Sequence, residues 1–226
     1  MNKVLLLDFD GVVLKNKIAD SKVAKRAGIY TWKSINNVRS KQSAISISQA
    51  EDICYNLYKG YGHTLCGLKD MGLDVSLKDY NDLIYKTIDY KVVRQTNNDM
   101  NDVRNLIQFC KNKNIDMFMF SNAPKTWMES TLENDTDIIE SIPDVRDILK
   151  ISENDEMYLK PQSYIYDALE KRFQDTKCIF VDDNISNFRY VMHNSNWKKI
   201  VCSTVNKKIN NDMFIADAIK GVLEVL

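Results

Sequence analysis

The stretch VLLLDFDGVVL, residues 4 to 14, constrains the fold more than any other part of the chain. Its apolar run suits a strand buried on both faces, the kind found inside a parallel sheet. It runs directly into two carboxylates, Asp8 and Asp10, with no room for a cap or a helical turn before them. In an open parallel sheet, ligands sit in the crevice beyond the carboxyl ends of the strands. A strand that ends in acids is therefore aimed at a site.

Short apolar or β-branched runs predict further strands at Asp116 to Phe120, Asp147 to Ile151, Cys178 to Val181 and Lys199 to Cys202, after a first at Lys3 to Leu7. Helical periodicity fills the gaps at Met100 to Lys113, Thr126 to Leu132, Gln162 to Phe173, Ile185 to His193 and Asp212 to Leu223. This alternation predicts an α/β fold with a Rossmann-like parallel sheet covered on both faces. The stretch from Lys17 to Gln95 is the exception, with several helical patterns and no strand. One helix in it is announced by Ser76 as N-cap with Asp79 three residues on. The expected organisation is a core of residues 1–16 and 96–226 with a helical cap, 17–95, inserted between them. The polar junctions Leu14 to Lys17 and Gln95 to Asp99 suit paired hinges.

Composition removes several function classes. Lysine plus arginine and aspartate plus glutamate number 31 each, so there is no basic field to hold a nucleic-acid polymer. No apolar run approaches the roughly 18 residues that would cross a membrane. Met-Asn-Lys is followed at once by the first strand, which leaves no space for a signal peptide and predicts a cytoplasmic protein. The scattered cysteines, Cys54, Cys66, Cys110, Cys178 and Cys202, form no CxxC pair and are expected as reduced core side chains. His63 and His193 are the two histidines, too few to favour a histidine-ligated zinc or a Ser-His-Asp triad. Hydrolytic chemistry would have to run on carboxylates.

Other strand ends carry polar residues as well. Ser121 and Asn122 follow DMFMF, Asp182 and Asp183 follow CIFV, and Lys160-Pro161 opens a helix. The alternation brings them to one rim with Asp8 and Asp10. Like charges 4 Å apart repel by about 4 kcal/mol at an effective dielectric near 20, which a divalent cation would relieve. A few oxygen donors, partly exposed, match Mg²⁺ with waters and a substrate phosphate. A carboxylate beside such an ion can attack phosphorus and form an aspartyl-phosphate.

Taken in order, Asp8-Phe9-Asp10-Gly11-Val12, Ser121, Lys160-Pro161 and Asp182-Asp183-Asn184 resemble the four motifs of the haloacid dehalogenase-like hydrolase superfamily, in its subfamily I with a helical cap. The resemblance implies Asp8 as nucleophile and metal ligand. It implies Asp10 as general acid then base, binding Mg²⁺ through its backbone carbonyl. Ser121, with Asn122 beside it, would bind the transferring phosphoryl group, and Lys160 would neutralise that group and hold Asp8 ionised. Asp183 would coordinate Mg²⁺ directly, and Asp182 would complete the acidic group and orient metal-bound water. An acid at position 10 favours phosphate esters, since true dehalogenases lack it.

The inserted stretch YKGYGHTLCGLKDMGLDVSLKDYNDLIYKTIDY resembles the cap of the pyrimidine 5′-nucleotidase branch, where Tyr58, Tyr61, Gly62, Leu65, Gly67 and Leu68 match a YxxYGxxLxGL pattern. Cys66 stands where that cap usually has arginine, and DFDGVVL where the branch has DxDNTLY. The implied substrate is a small phosphorylated metabolite, a nucleoside 5′-monophosphate, with Tyr58, Tyr61 and His63 as cap contacts. These three residues also have plainer readings as packing or capping groups, and Ser121-Asn122 and Asp182-Asp183-Asn184 as helix starts. Two rival functions remain open: a phosphosugar mutase or sugar-phosphate phosphatase, and a phosphoacceptor signalling module. The expected assembly is a monomer or homodimer.

Overall fold

The computed structural model describes residues 2–95, 100–202, 213–216 and 218–226. Five strands, β1 (Asn2–Leu7), β2 (Ile115–Met119), β3 (Thr176–Asp182), β4 (Trp197–Cys202) and β5 (Met213–Ala216), make one parallel sheet in the order β2-β1-β3-β4-β5. The order reverses between β1 and β3, which is where an open sheet of this kind parts its loops to form a crevice.

Val4, Leu5, Leu6 and Leu7 are all buried, as a strand flanked on both sides requires. Alternation along β1 sends Val4 and Leu6 to one core and Leu5 and Leu7 to the other. The first core holds Phe180, Phe188, Trp197 and the apolar side of α10 (Ser163–Arg172). The second is larger. It takes in α6 (Asn101–Asn112) and α11 (Ala218–Val225), and continues without a break into the inserted helices through Tyr30, Leu65, Leu68 and Ile84.

From Lys17 to Gln95 the regular elements are helices, as the periodicity predicted: α1 (Lys17–Asn37), α2 (Ile47–Tyr61), α3 (Thr64–Asp70), α4 (Leu77–Ile84) and α5 (Tyr90–Gln95), with a 3-10 turn at Lys41–Ser43. Their boundaries follow from local chemistry. Ser46 and Gln49 form a capping box at the start of α2, and Gly62 ends it in the left-handed region. Ser76 caps α4 by accepting the Asp79 N–H at 3.1 Å and donating to its carboxylate at 2.7 Å. The first junction lies within described chain, where Asn16 caps α1. Of the second, residues 96–99 lie outside the described residues.

Three expectations need correction. Asp147 to Ile151 is not a strand. Asp144 accepts the Arg146 N–H at 2.8 Å and starts α9 (Val145–Leu149), and the extended contact with β2 is made earlier, where Met119 N–H donates to Pro143 O at 2.9 Å. The helix expected from Asp212 to Leu223 is two elements, β5 and then α11, because Met213 to Ala216 pairs with β4 before the chain turns; Asp212 itself lies outside the described residues. Ile185 to Val191 is a 3-10 segment and not an α-helix. Two short helices complete the fold, α7 (Lys125–Thr131) in the expected place and α8 (Thr136–Ser141), which the sequence pattern did not reveal.

Candidate active site

The ladder continues one step past each strand end. Asp8 N–H donates to Val181 O at 2.9 Å and Phe120 N–H to Leu7 O at 2.7 Å, which sets Asp8 between the ends of β2 and β3. The chain then folds back sharply, with Leu14 N–H bonded to Phe9 O and Gly11 N–H to Leu14 O, each at 2.8 Å. Phe9, Val12, Val13 and Leu14 are buried, so the turn is anchored from below and its polar atoms are held above the sheet. Gly11 takes φ +80, and a Cβ there would lie 2.3 Å from Asp183 Oδ2. Only glycine allows the Asp183 carboxylate to lie across this turn.

Lys160 is buried and its Nζ reaches two acids, Asp182 Oδ2 at 2.6 Å and Asp8 Oδ1 at 2.9 Å. The rings of Phe120 and Phe180 lie 5.0 and 5.5 Å from the same ammonium. Asn122 fixes this lysine through its main chain: its amide donates to Lys160 O at 2.8 Å and its Oδ1 accepts Lys160 N–H at 2.7 Å. These two bonds leave the second amide N–H of Asn122 for a phosphate. Ser121, buried, accepts the Ala123 N–H at 3.2 Å on Oγ, and its hydroxyl proton is left to point elsewhere.

Asp182 is fully enclosed. Its Oδ2 takes Lys160 and Asn187 Nδ2, the latter at 2.9 Å, and its Oδ1 takes Asn187 Nδ2 at 3.0 Å and Asn184 N–H at 2.8 Å. A carboxylate has about four lone-pair positions, and all of them are engaged. Asp8, Asp182 and Asp183 nonetheless bring oxygens within 4.8 Å of one another, a spacing that could hold a metal ion. With Asp182 saturated, Asp8 and Asp183 are the acids with oxygen to offer. Asp10 Oδ1 accepts the Trp127 Nε1–H at 2.9 Å.

The electrostatics agree with a site built around a cation. Burial pushes Asp183 up to about 7, with the neighbouring Asp8 charge acting in the same direction. Burial likewise raises Asp182, while Lys160 pulls against it. Asp10 is pushed up to about 8 by burial, opposed by the Trp127 hydrogen bond and reinforced by Asp8. Lys160 is disfavoured as a charge by burial, but Asp182 and Asp8 outweigh that and it stays an ammonium.

The inserted helices meet this rim at a few points. Asn184 Nδ2 donates to Tyr58 OH at 3.1 Å. A Cβ on Gly62, at φ +75, would lie 2.3 Å from Pro161 Cδ. Gln162 Nε2 reaches Cys66 Sγ at 3.2 Å, and Glu156 accepts Leu77 N–H at 3.2 Å. Of the expected cap contacts, Tyr58 stands beside the acids. Tyr61 turns away and bonds Asp70. His63 is buried as the N-cap of α3, its Nδ1 accepting Leu65 N–H at 3.3 Å, with the Tyr80 ring 5.0 Å away.

Sequence reading missed Trp127 and Asn187. Nothing local marks an indole on α7 as a partner of residue 10, whereas Asn187 follows the Asp182-Asp183-Asn184 run by one helical turn and could have been read as its return contact.

A sequence model of the family described as haloacid dehalogenase-like hydrolase matches residues 2–188. No curated protein matches the chain. Among solved structures, the chain is similar to a HAD phosphatase from Thermococcus onnurineus at 14% identity and TM-score 0.56, covering 99% of this chain and 97% of that one. It is similar to YfnB from Bacillus subtilis bound to magnesium at 11% identity and TM-score 0.53, covering 100% and 98%. It is also similar to CbbY from Rhodobacter sphaeroides in complex with phosphate at 12% identity and TM-score 0.52, covering 98% and 96%. Likenesses at these identities speak for the fold.

Proposed function

The chain belongs to the haloacid dehalogenase-like hydrolase family, and from that premise we propose that it is a Mg²⁺-dependent phosphatase acting on a small phosphate monoester, a nucleoside 5′-monophosphate, through an aspartyl-phosphate. The observation that carries the reading is the ammonium of Lys160 held between Asp8 and Asp182, with Asp183 brought across Gly11 into the same group. Magnesium would be held by Asp8, Asp183 and the Asp10 carbonyl, all hard oxygen donors, where it would offset the crowded acids and the phosphate charge.

The side chains then divide the work. Lys160 occupies Asp8 Oδ1, which leaves Oδ2 to attack phosphorus. As that bond forms, the bond from phosphorus to the ester oxygen breaks and Asp10 gives its proton to the leaving alcohol. Asp10 then takes a proton from water, whose oxygen bonds to phosphorus and returns Asp8 as a carboxylate with release of phosphate. Lys160 and the Ser121 hydroxyl would balance charge on the phosphoryl oxygens. Asp182 serves this scheme by keeping Lys160 in place.

The helices of residues 17–95 would act as a cap over the core of 1–16 and 96–226, keeping water out during the first half-reaction. Tyr58 beside Asn184, and Gly62 against Pro161, support a cap that rests on the catalytic rim. The test is phosphate release from nucleoside monophosphates and sugar phosphates, with Mg²⁺ and with chelator, beside Asp8→Asn. The expected result is release that needs Mg²⁺ and falls by about 10⁵-fold in the variant. Most turnover surviving in Asp8→Asn would refute the nucleophile.

A further inference from the structure

Trp127 lies in α7, fully buried, and its indole N–H is the one side-chain hydrogen bond that Asp10 receives among the described residues, at 2.9 Å on Oδ1. An indole N–H can only donate, so the oxygen it meets must present a lone pair. A carboxyl group is planar; fixing one oxygen fixes the direction of the other. Oδ1 is committed to Trp127, and Oδ2 is left to exchange a proton with the ester oxygen and with water.

The backbone that carries the indole is itself held: the Trp127 backbone N–H donates to Pro124 O at 3.0 Å, and Thr131 Oγ1 donates to Trp127 O at 2.9 Å. Two rings from the inserted helices close over the indole, Tyr85 at 5.3 Å and Tyr90 at 5.7 Å between centroids, both tilted by about 50°. The ring cannot swing away from Asp10 without parting both tyrosines.

We propose that Trp127 is a positioning residue for acid–base catalysis, selecting which oxygen of Asp10 carries the transferred proton and where it points. The proposal rests on the reading of Asp10 as general acid and base. It has a consequence that mere packing would not have. An aryl oxide leaves phosphorus readily without a proton, whereas an alkoxide does not, so misaiming the acid should slow alkyl esters and spare aryl ones.

The experiment compares β-glycerophosphate with p-nitrophenyl phosphate for the full chain, for Trp127→Phe, and for a protein in which the Trp127 indole is replaced by benzothiophene, which keeps the bicycle and lacks the N–H. Asp10→Asn and Asp8→Asn run alongside. The expected result is a loss on the order of 10²-fold in kcat/KM, which reports the first half-reaction, for the alkyl ester in both Trp127 proteins, with kcat/KM for the aryl ester changed by less than about threefold. Asp10→Asn should show the same selectivity in kcat/KM with a larger loss, and a lower kcat for both esters because the base of the shared second half-reaction is gone. Equal loss of kcat/KM for the two esters, or none in the benzothiophene protein, overturns the proposal. Failure of the functional reading is separately visible: Asp8→Asn would stay active, or the unaltered chain would cleave neither ester.

Discussion

The rim of the sheet and the inserted helices that meet it are built on different terms. At the rim, charge is locked by repetition: Asp182 has every lone pair engaged, Lys160 is held through its ammonium and both backbone groups, and Gly11 is the only residue type that fits below Asp183. The inserted helices touch that rim through single bonds, the Lys69–Glu156 ion pair and ring edges, and buried side-chain atoms without a hydrogen-bond partner occur in both regions, Thr31 Oγ1 and Asn81 Oδ1 in the helices and Asn187 Oδ1 at the rim. A densely bonded network of charges holds reacting groups in place, whereas a more sparsely bonded surface can part and re-form around a guest. Chemistry belongs to the first kind of region and selection to the second.

Lys160→Met tests this contrast most severely. It strands Asp8 and Asp182 as buried acids, and the expected cost is about 3–5 kcal/mol in urea unfolding. A loss under about 1 kcal/mol would show that the rim is not locked by its ion pairs.

Next in size is the response of the insert to acid. Burial holds the His63 imidazole neutral, pushed down to about 4, while in the unfolded chain it titrates near 6.5. Between those values the unfolded chain binds the extra proton, so acidification favours unfolding. Relative to His63→Asn, which can still cap α3, the unaltered chain should lose up to about 3 kcal/mol from pH 6.5 to pH 4 and nothing above that window. Parallel stability curves for the two proteins would contradict a buried neutral imidazole.

Gly62→Ala probes the seam between the two regions. The new Cβ meets Pro161 at a backbone angle that disfavours it, so a loss of about 1–2 kcal/mol in thermal unfolding is expected together with a raised KM. An unchanged KM would mean that this contact does not govern access. Smallest of all, Tyr61→Phe removes an exposed bond to Asp70 and should leave stability and kinetics unaltered. A large rise in KM would return Tyr61 to the substrate contacts.

The legible part of this molecule follows the same division. Asp8, Asp10, Ser121, Asp182 and Asp183 could be placed together because each ends a strand, and parallel strands deliver their ends to one edge whatever lies between. Lys160 was placed on that edge as a helix start, and only its role toward Asp8 and the phosphoryl group needed the family likeness. Trp127 was invisible because its bond to Asp10 joins side chains more than a hundred residues apart, a matter of how α7 leans on the first turn. At Asp147, apolar neighbours imitated a strand, and the capping carboxylate of Asp144 decided for helix. His63 and Tyr61 have types that suit a binding surface, and in the structure each also has a local partner, Leu65 N–H two residues on for His63 and Asp70 nine residues on for Tyr61.

The ammonium shared by Asp8 and Asp182 also bears on how the protein comes into being. Asp8 is synthesised early, and Lys160 follows roughly 150 residues later, a wait on the order of 10–30 s at ordinary ribosomal speed. Throughout that interval the first strand carries acids without their counter-charge and lacks β3, the neighbour that completes its pairing. A nascent chain halted before residue 160 can pair its first strand with β2 on one side, but it lacks both β3 and the ammonium that its acids share.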